Sequence, residues 1–425
     1  MRTTRYGISA LALLFIVYVS STLWMHSKIA NGAESADSYS GSISFDGNLA
    51  RSRLSDQSSR THHQSILFNT GTRLEPLERL EINRPGSFSS CLLVMDDNHF
   101  LTEWLAFHYH VLPLRRLIIA VDPRSVTTPA PILNRWRSPN LNFNISLWAD
   151  HDFMADTEEH RVAVDWVRRK FENTKIGEDL IQHRARQRLF YYKCMKQLKN
   201  ENRDWTILTD SDEYLLINYE TVKTTKTGLV TPSVDEPGSV LTFLQRELAQ
   251  PMTNLTSPCI QIPRSRFNAQ ESESSQVQKL VPLGLNASQF QTLRWRHHAD
   301  AYNYAANRIS KVVMDLSRVP WSALEPVSSI HRPVRSLCGR RKLHLRAPEQ
   351  VFVIHHYLGT WAQYSYRDDS RKGNERGLLA YQKAQQFVDK VETDDDIRPW
   401  LDGFARRTGV EIATALLAGV GVIDP

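Results

Sequence analysis

Two aspartates separated by one residue, Asp210-Ser211-Asp212, follow a run that reads as a strand, Trp205-Thr206-Ile207-Leu208-Thr209, and precede Glu213-Tyr214-Leu215-Leu216-Ile217. Carboxylates with this spacing at a strand end can aim at one hard divalent cation, Mn²⁺ or Mg²⁺, whose other positions accept phosphate oxygens and water. A cation held there stabilises the negative charge that develops on a departing phosphate. The pattern alone is common in loops; the apolar strand before it is what gives it weight. Histidines offer a further ligand: His355 and His356 follow the apolar run Val351-Phe352-Val353-Ile354. Neighbouring strand residues point to opposite faces, so one imidazole faces the cleft, and His356 is the candidate.

Other carboxylates close two earlier strands. Cys91-Leu92-Leu93-Val94-Met95 ends in Asp96-Asp97, and Leu117-Ile118-Ile119-Ala120-Val121 ends in Asp122. Between them Leu101, Trp104, Leu105 and His108 recur at helical spacing. Strand, helix, strand is a βαβ unit with parallel pairing and a right-handed crossover. Ligands of open α/β sheets gather at the carboxyl ends of the strands, where Asp122 is placed to accept from a ribose or a base.

The segments Trp205–Ile217 and Cys91–Pro123 together resemble the catalytic region of glycosyltransferases with the GT-A fold, family 92 and its family-2-like relatives in particular. The resemblance rests on Met95-Asp96-Asp97 followed by Leu101-Thr102-Glu103-Trp104-Leu105-Ala106-Phe107-His108, on Thr209-Asp210-Ser211-Asp212-Glu213-Tyr214-Leu215, on Ile354-His355-His356-Tyr357 and on Arg371-Lys372-Gly373. It departs from the family's usual early turn, Lys-Asn-Glu, where Asp96-Asp97 stands here.

The resemblance implies an α/β fold of the GT-A kind, a Rossmann-like, mostly parallel mixed sheet flanked by helices. It also implies that Asp97 and Asp122 lie near a nucleotide, Asp210 and Asp212 near a metal and diphosphate, and that a later histidine completes the coordination. The activity implied is inverting transfer of a hexose from a nucleoside diphosphate sugar to a glycan or glycoconjugate. Inversion needs a carboxylate to take the acceptor's proton. Glu271, in the polar loop after Cys259-Ile260-Gln261-Ile262-Pro263, is the candidate, with Glu273 and Asp300 as alternatives. Tyr357 and Trp361 are candidates to stack on a sugar ring. The rival readings are an inactive GT-A protein that only binds glycans, and a metal-dependent phosphohydrolase; no further clustered ligands for a two-metal site are visible in the sequence.

The elements that must hold these residues are bounded by composition. With 425 residues and 41% apolar content, the chain can bury a core of one large domain or two modest ones. Residues 8–25 are apolar and uncharged, just long enough to span a bilayer, and follow Arg2 and Arg5. This reads as a type II signal anchor, with a cleaved signal peptide ending near Ala30, Gly32 and Ala33 as the rival. Residues 30–86 are rich in Ser, Asn, Gly and Arg and read as a low-order stem, residues 87–373 as the catalytic domain, and residues 374–425 as a helical extension. The expected location is the Golgi or endoplasmic reticulum membrane with the domain lumenal. Cys91, Cys194, Cys259 and Cys338 lack metal-type spacing, and a lumen permits disulfides among them. Sequons stand at Asn144, Asn254 and Asn286. The net charge of +6 is concentrated partly in the run from His331 to Arg346, which suits a diphosphate or an acidic glycan. Nucleic acid is disfavoured, because no stacking-aromatic motif accompanies that patch.

Overall fold

The computed structural model describes residues 87–155, 157–174, 176–225, 230–249, 257–267, 278–279, 281–299, 304–339, 343–366, 377–385 and 391–423. The expected anchor and stem, Asn254, Glu271, Glu273, Asp300 and Arg371-Lys372-Gly373 lie outside the described residues. Among the described residues no helix is long and apolar enough to cross a membrane.

The βαβ unit is present: β1 (Phe88–Val94), α1 (Asn98–Val111) and β2 (Leu114–Val121), with β1 parallel to β2 and Val94 level with Val121. Past Ser89-Ser90 and Arg115-Arg116 both strands are continuously apolar, because both faces of the sheet are covered. Leu92 and Val94 of β1, with Leu117 and Ile119 of β2, pack on one side with α1. Cys91, Ile118 and Ala120 pack on the other, against α3 (Glu158–Lys170) and α4 (Glu178–Asn200). A period of two in the strands therefore builds three layers. The short α2 (Ala130–Trp136) leads to the edge strand β3 (Asn144–Trp148). The six-stranded sheet has the order β3-β2-β1-β4-β9-β6, with β4 at Trp205–Leu208, β6 at Cys259–Ile262 and β9 at Lys311–Asp315. The four strands from β3 to β4 are parallel, and β9 runs antiparallel to both β4 and β6.

A second sheet of five strands has the order β11-β8-β7-β10-β5, comprising β5 (Glu213–Ile217), β7 (Arg264–Phe267), β8 (His297–Ala299), β10 (Phe352–Tyr357) and β11 (Val391–Thr393). The chain crosses from the first sheet to the second three times, twice by short connections and once by the long segment between β9 and β10. One short connection is the turn 209–212 between β4 and β5; the other is Pro263 between β6 and β7, whose carbonyl accepts from the Ile354 N–H at 2.9 Å. Between the sheet elements stand α5 (Tyr219–Thr225) and α6 (Ser239–Ala249), and after β10 come α7 (Trp361–Tyr366) and α8 (Leu378–Gln385).

The C-terminal segment, expected to be helical, also supplies β11 to the second sheet. Its last helix is split at Gly409, where φ is +86°, into α9 (Trp400–Thr408) and α10 (Val410–Leu416). Both pack into the same core as α1. Glu103 of α1 ties these parts together. It accepts from the N–H groups of Gln291 (2.7 Å) and Thr292 (3.0 Å) and from the Thr292 hydroxyl, which accepts from Trp400 Nε1 at 2.8 Å. Burial pushes the Glu103 carboxyl up to about 7, against the smaller lowering by those hydrogen bonds. Two disulfides fasten the layers: Cys91 of β1 to Cys194 of α4, and Cys259 of β6 to Cys338.

Because the folded-state value for Glu103 lies above the ordinary 4.5, its contribution to stability is complete below pH 4.5 and is lost as pH rises through 7. Wild type loses about 3 kcal/mol from this group across that window, a loss that Glu103→Gln does not show. Urea denaturation of both proteins at pH 5 and pH 8 reads the difference. Opening the Cys91–Cys194 loop of 103 residues with paired Cys→Ala changes lowers stability by about 4 kcal/mol, measured the same way without reductant.

Candidate active site

Ser90 of β1 is level with Ile207 of the parallel β4, so the turn after β4 emerges at the same sheet end as Asp97 and Asp122. That turn carries Asp210 and Asp212 across the seam between the sheets, and Glu213 opens β5 directly beneath it.

Glu213 is fully buried. Its Oε2 accepts from the backbone N–H of Asp210 at 3.0 Å and lies 2.9 Å from Lys311 Nζ; its Oε1 lies 3.1 Å from Arg264 Nη1. Lys311, also fully buried, heads β9 and reaches Asp210 Oδ2 at 2.6 Å as well. Burial would raise the Glu213 carboxyl, but the charges of Lys311, His356 and Arg264 hold it well below the usual carboxylate range. It is therefore an anion at neutral pH, neutralised from behind.

His356 stands opposite Glu213 in the β10–β5 pair, and its Nε2 lies 3.5 Å from Asp212 Oδ2. His355 points to the other face, where its Nε2 meets Asp394 Oδ2 at 3.1 Å. Strand alternation thus separates the two imidazoles, with His356 on the Asp212 side. Asp212, Glu213 and His356 each offer one ligand atom, all within 4.8 Å of one another. Two carboxylates and an imidazole form a donor set that fits Mn²⁺ or Mg²⁺. Asp210, expected in the same set, is turned to Lys311 instead, because a buried ammonium requires a counter-charge.

The other expected residues divide. Asp97 is buried at the start of α1, with its Oδ2 accepting from the Met95 N–H at 3.2 Å. Asp96, at φ +55°, pins the following loop by accepting from the N–H groups of Val126 and Thr127 and from the Thr127 hydroxyl. Asp122 is not the open acceptor expected. Its oxygens receive the backbone N–H of Arg124 (3.1 Å), Arg124 Nε (2.9 Å) and Nη2 (3.1 Å), with His183 Nδ1 at 3.3 Å. Burial would raise its carboxyl, but these hydrogen bonds hold it well below the usual range.

Tyr357 does not reach a cleft either. It is fully buried, its ring packs 4.6 Å from Phe267 and 5.4 Å from Tyr214, and its N–H donates to the Asp212 carbonyl at 3.0 Å. Its role is to fix the turn. Trp361 is 36% exposed and packs 5.5 Å from Tyr381. In the basic run, Arg332 donates to the carbonyls of Cys338 and Arg335, and Arg346 pairs with Glu220 and Glu392. These groups are used inside the fold. Lys311 and Arg264, which sequence pattern did not single out, are the cations that pair with Asp210 and Glu213 among the described residues; a lysine heading the apolar run Val312-Val313-Met314 was the available signal for one of them.

No protein-family model matches the chain, and no curated protein does. Solved structures that overlap it include S. aureus TarS in complex with UDP, at 12% identity over 54% of this chain and 47% of that one, with a TM-score of 0.24. A structure of S. aureus TarS in complex with UDP-GlcNAc overlaps at 12% identity over 76% and 72%, with a TM-score of 0.28. Glucosyl-3-phosphoglycerate synthase from Mycobacterium tuberculosis, in complex with phosphoglyceric acid, overlaps at 8% identity over 73% and 88%, with a TM-score of 0.26. The chain spans less than half the length of the first of these.

Lys311→Met leaves Glu213 and Asp210 short of a counter-charge and lowers stability by about 3 to 5 kcal/mol. Adding Glu213→Gln recovers at least about 1 kcal/mol of that loss, the sign of direct coupling. Urea denaturation of wild type, both single variants and the double variant gives the coupling energy.

Proposed function

We propose that this chain is a metal-dependent glycosyltransferase that moves a hexose from a nucleoside diphosphate sugar to a glycan or glycoconjugate, as the enzymes of family 92 that its motifs resemble do. The observation that carries this reading is the meeting of Asp212 and His356, brought from β10 and the β4–β5 turn to the carboxyl end of a parallel sheet. Asp212 and His356, with Glu213 behind them, are the residues that would hold Mn²⁺ or Mg²⁺, which supplies Lewis-acid stabilisation of a departing diphosphate.

The protein's own groups prepare that place. Lys311 and Arg264 keep Glu213 ionised, Glu213 holds the Asp210 N–H, and the Tyr357 N–H holds the Asp212 carbonyl, so the turn is set before any ligand arrives. Trp361, partly exposed one turn beyond β10, offers a ring face for the acceptor sugar. Glu271 is the proposed base of an inverting reaction. Asp97, at the end of β1, is the proposed nucleotide-side carboxylate.

Residues 8–25 are proposed to anchor the chain in the Golgi or endoplasmic reticulum membrane with the catalytic domain in the lumen. The two disulfides support that compartment, because cytosolic thiols stay reduced. Against the phosphohydrolase reading, the described residues hold a single cluster of three potential ligands, where a two-metal site needs more.

The test is titration of the full chain with UDP and GDP, with and without Mn²⁺, beside Asp212→Asn. Metal-dependent binding of one nucleotide, weakened at least about tenfold in the variant, is the expected result. A folded protein that binds neither nucleotide would overturn the transferase reading in favour of a glycan-binding one.

A further inference from the structure

At the opposite end of the first sheet from Asp212, where α1 ends and β2 begins, a pocket of about 190 Å³ opens between α1, α9 and the turn before α6. Tyr109, Leu141 and Phe404 supply apolar walls, and two guanidinium groups, Arg115 and Arg407, supply its charge. Among the described residues no carboxylate lines it.

Arg115 is the unusual member. Its residue is only 6% exposed, yet among the described residues the ionisable groups that act on it are Tyr109 and Arg407, neither of them an acid. Nη1 donates to the carbonyls of Tyr109 (3.0 Å) and Leu114 (2.9 Å), and the guanidinium lies 3.9 Å from the centroid of the Tyr109 ring. The buried cation is thus fixed in orientation by backbone oxygens and an aromatic face. Burial lowers its basicity, the Tyr109 side chain raises it, and the neighbouring Arg407 lowers it further. Arg407 lies exposed on α9, so the second charge stands at the mouth. His110, also on the lining, donates through Nε2 to the Asp235 carbonyl (3.2 Å) and is pushed down to about 4 by burial, so it brings no positive charge at neutral pH.

A buried cation with no anion partner is costly, and two of one sign beside apolar walls create a place that a small anion completes. A planar carboxylate matches a guanidinium edge through two parallel hydrogen bonds, and a ring suits walls of tyrosine, leucine and phenylalanine. The volume is of the size that accepts one six-membered ring with a substituent: cavities of roughly 150 Å³ take benzene. We propose that this pocket is a binding site for a small aromatic or cyclic carboxylate, held by Arg115 and Arg407 and remote from the acidic turn. The site is independent of the transferase reading, since it shares no residue with Asp212, Glu213 and His356.

Benzoate and its neutral isostere benzamide are titrated calorimetrically into the full chain and into Arg407→Ala, a surface change on α9 that keeps the fold. Benzoate binds wild type at least about tenfold more tightly than benzamide does, and Arg407→Ala weakens benzoate by about the same factor while leaving the unfolding midpoint in place. Equal affinities for the two compounds, no binding of benzoate at about 10 mM, or an unchanged affinity in Arg407→Ala would each overturn the proposal.

Discussion

A lysine ammonium with no access to water sits at the junction of the two sheets, and the arrangement around it follows from the need to neutralise it. Lys311 opens β9, the strand that pairs with both β4 and β6. Those are the two strands after which the chain leaves the first sheet for the second by a short connection. Its partners are Glu213, just beyond one crossing, and Asp210, within it; Arg264, just beyond the other crossing, joins through Glu213. An isolated charge would not persist at such depth, so the pairing fixes where both chains may turn. The acidic turn is held at one point by charge and at others by backbone hydrogen bonds.

Most of the first sheet was legible in the sequence because largely apolar runs of five residues, closed by acidic turns, have few other uses. The runs at Cys91, Leu117 and Trp205 all became parallel strands, and the helix expected from Leu101 to His108 lies within Asn98–Val111. The second sheet was less legible. Its strands are three to six residues long, and its pairing partners lie far apart in the chain, as His297–Ala299 with Val391–Thr393 shows. Periodicity carries no record of which distant segment a short strand will meet. The disagreement over the C-terminal segment has this origin: its helices were visible, while a three-residue strand beside an acidic turn was not.

The candidate site divides along the same line. Local pattern placed Asp210 and Asp212 in a turn at a strand end and His356 rather than His355 on the side of that turn, since these placements depend on turn position and strand alternation. It could not find Lys311 or Arg264, whose meaning lies in what they face across a sheet. The same limit explains Asp122 and Tyr357. A carboxylate ending a strand reads as open until Arg124 and His183 are seen to close on it. A tyrosine two residues after a histidine reads as a cleft ring until alternation turns it inward beside Phe267.

The connectivity of the disulfides has a consequence for biogenesis. The loops run from residue 91 to 194 and from 259 to 338, one after the other with no overlap. Of the three ways to join four cysteines, this is the one that pairs each with its neighbour in order of emergence. A chain translocated during synthesis into an oxidising compartment presents Cys91 and Cys194 before Cys259 exists outside the channel. The first bond then closes around the segment that runs from β1 through β2 and β3 to α4, and the second closes after it without competition. Native pairing needs no reshuffling, and the order of synthesis itself chooses the right partners.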